Sequence, residues 1–132
     1  MIVGFEWLID AKDCNESDLR DVEKLRTVFS RIISDLQLKT IGEGNWHKFD
    51  GEGGVTGLVM LTESHLACHT YPEHKTATFN LYCCRERPEW DWAENLAWVP
   101  RGLKGPKGCP GCMATPAAAG SRPRRHHPHH PL

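Results

Sequence analysis

Between Leu19 and Leu36 apolar residues recur at helical spacing: Leu19, Val22, Leu25, Phe29, Ile32 and Leu36, with Ile33 widening the stripe. The pattern predicts an amphipathic helix. Asn15, Ser17 and Asp18 are each suited to cap its start, and Asp21 and Glu23 suit its positive end. Elsewhere the apolar residues form short runs or alternate. Phe5 to Ala11 reads as a short buried strand, and Leu38 to Phe49 as a second, interrupted or bent near Gly42 and Gly44. Gly51, Gly53 and Gly54 make a turn. Val55 to Thr62 is an apolar run, His65 to Tyr71 another strand, and Thr76 to Cys84 a further one. In the last, Ala77, Phe79, Leu81 and Cys83 share one face, while Thr78, Asn80, Tyr82 and Cys84 share the other. Tyr71-Pro72-Glu73-His74 is short enough to join two antiparallel strands. Pro88 suits an early position in a second helix, with Trp92, Leu96 and Val99 on one face. The order β-α-β-β-β-β-α predicts an α+β fold. It is a two-layer α/β sandwich, in which an antiparallel sheet is the surface available to bury the helical stripe and helices pack on one of its faces.

Composition narrows the picture. The 132 residues, 39% hydrophobic and 25% charged, fit one domain with one core. No stretch is long or apolar enough to cross a bilayer, and Met1 to Asp10 lacks the pattern of a signal peptide, so the expectation is a cytoplasmic protein with no membrane partner. Six cysteines without a secretory context read as reduced thiols. The net charge of −1 hides a division at Pro100: six Lys or Arg and no acid follow it, whereas ten basic and 17 acidic residues precede it. An acidic body argues against nucleic acid and suits a cationic small molecule. The division sets the expected organisation, a domain over residues 1–100 and a basic, Gly/Pro/His-rich tail over 101–132 that cannot bury enough apolar surface to order itself.

The informative stretch runs from Gly53 to Cys84. It holds Glu63-Ser64-His65, then His69-Thr70 with Pro72-Glu73, and a cysteine twenty residues after the serine. On these residues, and more faintly on His47, Phe49 and the segment Gly4 to Cys14, the chain resembles the bacterial S-adenosylmethionine decarboxylase family over roughly its first hundred residues. The resemblance implies self-cleavage between Glu63 and Ser64. The Ser64 hydroxyl attacks the preceding carbonyl to give an ester. Loss of the Ser64 α-proton then eliminates that ester, and the dehydroalanine left behind takes up water and loses ammonia to become a pyruvoyl group. A base is needed beside the α-carbon, and histidine suits the task; the resemblance assigns it to His69. Alternation puts His65, Ala67, His69 and Tyr71 on one strand face, so His69 meets Ser64 only if the hairpin returns it there. Thr56 matches a small hydroxyl residue that assists processing.

The pyruvoyl group implied at Ser64 would form a Schiff base with a substrate amine and accept electrons as carbon dioxide leaves, in place of a dissociable cofactor. Cys84 matches the family's proton donor, and Cys83, on the opposite face, reads as core. Phe49 and Tyr71 match an aromatic pair that stacks on adenine, and Glu73 matches an acid near the substrate. The implied activity is S-adenosylmethionine decarboxylation in polyamine (spermidine) biosynthesis, by a homodimer of processed protomers. Glu6 stands where the family usually has a histidine; an extra acid suits a substrate with a second positive charge, which keeps arginine or ornithine as alternatives. Arg85 replaces the glycine that commonly follows the cysteine, and the family's closing elements are not recognisable after Trp98, which leaves a non-catalytic relative as a further alternative. Cys109-Pro-Gly-Cys112 has half the spacing of a zinc ribbon. With no second pair, no structural metal is expected, and a metal-binding module with the terminal histidines His126, His127, His129 and His130 is the remaining competitor.

Overall fold

A computed structural model describes residues 3–98, 113–114 and 124–126. Strand β1 (Gly4–Lys12) leads into a short helix α1 (Glu16–Leu19) and the main helix α2 (Val22–Asp35). The apolar stripe is therefore carried by two helices rather than one continuous helix. The break has a local cause. Asn15 caps α1 by accepting from the Ser17 and Asp18 amides, and Asp21 restarts the helix by accepting from the Glu23 and Lys24 amides at 3.0 and 3.3 Å.

Four strands follow: β2 (Thr40–Lys48), β3 (Val55–Leu61), β4 (Ser64–Tyr71) and β5 (Thr76–Cys83). Pro72–His74 forms a single 3₁₀ turn between the last two, closed by Lys75 in the left-handed region. The expected bend in β2 is a register shift between Ile41 and Asn45, with Gly42 and Gly44 at φ of 73° and 86°. The second helix, α3 (Trp92–Trp98), starts later than Pro88 suggested. Asp91 supplies its cap, accepting from the Glu94 amide at 3.0 Å, and leaves Pro88 in the irregular segment ahead of it. Trp92 and Leu96 are buried as expected; Val99 lies outside the described residues.

All pairings are antiparallel, in the order β2-β3-β4-β5-β1. Two short strands, β6 (Met113–Ala114) and β7 (Arg124–His126), add to the outer side of β1. The rest of the segment after Pro100, with Cys109 and Cys112, lies outside the described residues.

Register sorts the sheet into a covered and an open face. Trp7, Ile9, Val59, Leu66, Phe79 and Leu81 meet Val28, Phe29, Ile32 and Leu36 in one core. Gly57 is required there because the Trp46 ring lies over it; an added Cβ would come within 2.4 Å of that ring. Buried Thr70 ties the layers together by donating to the Leu19 carbonyl at 2.6 Å and accepting from the Val55 amide at 2.8 Å. Phe29 is 2% exposed, with its ring centroid 4.7 Å from that of Trp46. Phe29→Ala should cost about 3–5 kcal/mol of unfolding free energy, read from chemical denaturation, because the sheet beneath cannot close over the space.

The open face carries polar rows that cross the strands. One row reads Glu6, Tyr82, His65, Met60 and Ile41; another reads Asp10, Thr78, His69, Thr56 and His47. No described helix packs on it, and Ile41, Leu58, Met60, Phe49 and Tyr71 are exposed. Among the described residues, no helix is long and apolar enough to cross a membrane.

Candidate active site

Every sequence-predicted site residue except Glu63, in the β3–β4 turn, and Ser64, the first residue of β4, lies on the open face or in a loop at its border, but they do not form one cluster. At one end of β4, Glu63 ends the turn and Ser64 opens the strand opposite Cys83 of β5. Ser64 has a φ of 128°, a region that side-chain-bearing residues rarely enter. Alternation alone would aim Ser64 at the covered face with Leu66, yet its Oγ lies 3.0 Å from Nδ1 of His65, which belongs to the open face. The Glu63 carboxylate is held on both sides, by Arg85 at 2.6 Å and by Arg87. These groups, with Lys39, Gln37 and Thr62, line a cavity of about 330 Å³ whose charge is mainly positive.

Cys84 follows Cys83 at this same end and is exposed, whereas Cys83 is fully buried, as alternation requires. Burial pushes the Cys83 thiol up, and pushes that of Cys68 up to about 12. Cys84 is thus the exposed thiol among the described cysteines. Glu6, on β1, belongs to this end and accepts from Asn80 Nδ2 at 3.0 Å.

The second cluster lies toward the far end of β4. His69 Nδ1 is 2.7 Å from the Thr56 hydroxyl, the Tyr71 ring lies 4.5 Å from the His69 ring, and Phe49 lies 5.8 Å from it on another side. His47 stacks edge-on against Phe49 at 4.6 Å. Glu73 is exposed in the adjoining 3₁₀ turn. The hairpin does not bring His69 back to Ser64. Both sit on one extended strand, and five residues at a strand's rise separate them by about 17 Å.

The profile described as S-adenosylmethionine decarboxylase matches residues 5–98, which is most of the chain. The chain belongs to the S-adenosylmethionine decarboxylase family. Among its family relatives, the S-adenosylmethionine decarboxylase proenzyme of Thermodesulfovibrio yellowstonii is 34% identical over 89 residues, covering 66% of this chain and 64% of the relative. The arginine decarboxylase proenzyme of Aeropyrum pernix is 38% identical over 69 residues, covering 52% of each. The crystal structure of the adenosylmethionine decarboxylase from Aquifex aeolicus superposes with a TM-score of 0.59 at 29% identity, over 64% of this chain and 68% of that one. The chain thus spans somewhat under two thirds of the length of the first-named relative.

Three features distinguish the surroundings of Ser64: a hydroxyl hydrogen-bonded to a histidine, a backbone at positive φ and a preceding glutamate held by two arginines. The sequence reasoning named Ser64, Glu63 and Cys84 but missed three neighbours: His65, Asn80 and Arg87. His65 and Asn80 alternate onto one face in their strands, so the signal was present. Their contact across strands depends on a register that residue types alone do not reveal. Among the described residues, no group of three or more His, Cys, Asp or Glu converges as a metal site, and Cys109 and Cys112 fall outside them.

Proposed function

We propose that this chain is an S-adenosylmethionine decarboxylase of spermidine formation that cleaves itself between Glu63 and Ser64 and works as a cytoplasmic homodimer. The observation that carries the reading is the state of Ser64: a hydroxyl hydrogen-bonded to a histidine, on a backbone held at φ 128°, after a glutamate gripped by two arginines. A structural turn serine needs none of these, and each assists attack on the Glu63 carbonyl. The pyruvoyl group formed at Ser64 supplies a ketone that takes the substrate amine and accepts electrons as carbon dioxide leaves.

The residues of the chain divide the remaining work. Cys84, beside Ser64 and exposed, returns a proton to the substrate carbon. Arg85 and Arg87 hold the Glu63 carboxylate and, with Lys39 lining the same cavity, suit the second carboxylate that cleavage creates there, which keeps the two pieces together. His69, oriented by Thr56, removes the Ser64 α-proton during processing. At about 17 Å within one chain it serves the Ser64 of a second copy, and the exposed apolar residues of the open face support such pairing. Phe49 and Tyr71, flanking His69, bind the flat base of the substrate, and Glu73 and Glu6 meet its cationic groups.

A second reading has a specific observation behind it. The similarity to an arginine decarboxylase proenzyme, together with Glu6 on the open face, favours a basic amino acid in place of the sulfonium substrate. Intact mass and carbon dioxide release test both readings. The purified chain should appear as two fragments, ending at Glu63 and beginning at residue 64, and should release carbon dioxide from S-adenosylmethionine faster than from arginine or ornithine. Cys84→Ala should still be cut, yet release carbon dioxide at least roughly 100-fold more slowly. A single uncut species would sink the assignment; preference for arginine or ornithine would select the second reading.

A further inference from the structure

The Ser64 hydroxyl ends a chain of hydrogen bonds whose direction can be read. Glu6 presents a carboxylate, which only accepts at neutral pH, so the Asn80 atom 3.0 Å from its Oε1 is the amide nitrogen. The Asn80 oxygen therefore faces His65, 2.7 Å from Nε2, and must accept from an Nε2–H. The opposite ring nitrogen, Nδ1, is then left with its lone pair, 3.0 Å from Ser64 Oγ. The Tyr82 ring lies near-parallel to the imidazole, at 16° between planes and 6.2 Å between centroids.

The backbone of Ser64 completes the arrangement. Around the N–Cα bond of an L residue, Cβ is offset from the carbonyl carbon by about 120°. At φ 128° that offset leaves Cβ nearly eclipsed with the carbonyl carbon of Glu63. In an ordinary strand the two point apart. The eclipsed form costs about as much as other rare backbone states, and it is the form that closes the five-membered ring joining Oγ to that carbon.

We propose that His65 is the base for the first step of self-cleavage, with Asn80 and Glu6 as positioning residues that hold its reactive tautomer. The proposal rests on the self-cleavage reading above and deepens it. As Oγ bonds to the Glu63 carbonyl carbon, its proton passes to His65 Nδ1. The Glu63–Ser64 carbon–nitrogen bond then breaks, and the same proton passes to the departing nitrogen. An ester and a free α-amine result, with no oxidant, reductant or external reactant. The later removal of the α-proton is a separate event, left to His69.

The two histidines are distinguished by where processing stalls. In freshly made chain, hydroxylamine cuts an ester that has formed at Glu63 and leaves a peptide bond intact. His65→Ala should slow fragment formation roughly 100-fold or more and yield no hydroxylamine-released fragment. Added imidazole should restore part of the rate. His69→Ala should instead accumulate a species that hydroxylamine cuts. In the uncut Ser64→Ala chain, nitrogen NMR should find His65 protonated at Nε2, and Asn80→Ala should lose that preference while circular dichroism stays native. Cleavage of His65→Ala within a few-fold of the native rate, ester accumulation in it, or a His65 proton on Nδ1 would each overturn the proposal while leaving self-cleavage standing. A native chain that never cuts would overturn the functional reading itself.

Discussion

Ser64→Ala should give a full-length chain that releases no carbon dioxide from any of the three candidate substrates. Without the hydroxyl there is nothing to attack the Glu63 carbonyl, and without the ketone no electron sink forms. The loss should be complete rather than partial, since the residue whose hydroxyl starts processing is also the one whose α-carbon becomes the ketone. A companion variant tests the strained backbone independently of chemistry. Ser64→Gly is equally unable to cut itself, but glycine enters φ 128° without a clash, whereas alanine keeps the eclipsed Cβ. The Gly chain should therefore be about 1–2 kcal/mol more stable than the Ala chain in chemical denaturation, the strain relieved exceeding the entropic cost of glycine. Equal stability, or a less stable Gly chain, would mean that the backbone at this position stores no strain.

Of two variants that are each unprocessed alone, one should rescue the other. His69→Ala keeps a competent Ser64, and Ser64→Ala keeps a competent His69; the two residues lie about 17 Å apart along one strand. If His69 acts across a dimer, co-expressing the chains at equal levels should process about half of the His69→Ala chains, the share paired with the other variant. The Ser64→Ala chains should stay intact. Mass spectrometry separates the outcomes, because each uncut chain has its own mass. His69→Ala chains that remain blocked in the mixture would place the action of His69 within its own protomer or remove it from processing. Processing of His69→Ala expressed alone would remove it outright.

Much of this architecture was legible in the residues. The two-residue alternation of β5 separated buried Cys83 from exposed Cys84, and the stripe from Leu19 to Leu36 identified the helical layer. What escaped depended on competition between local signals. Asp21 was read as a favourable charge near a helix start, but its side chain caps a new helix and so divides the stripe. Pro88 suits a helix start, yet Asp91 offers the better cap three residues later. In the site, the spacing of Ser64, His69 and Cys84 was visible, but sequence spacing is not spatial proximity. Cys84, twenty residues away, returns to Ser64 through the hairpin, while His69, only five away, is carried off along an extended strand. The relay through His65 and Asn80 needed the cross-strand register, which the Pro72–His74 turn sets at a distance from both.

Scission at Glu63 would change what kind of object the sheet is. In the order β2-β3-β4-β5-β1, the β4–β5 hairpin falls in the downstream polypeptide, while both strands flanking it, β3 and β1, fall in the upstream one. The mature subunit would be two interleaved polypeptides, one slotted into the other, joined by the β3–β4 and β5–β1 ladders and by the short pairings of β6 and β7 with β1 instead of a covalent link. The uncut precursor refolds as one molecule, whereas the cut pair would have to meet again in solution, so its recovery from denaturant should fall on dilution. Order of events would thereby be enforced: the sheet would have to close first and the chain be severed afterwards.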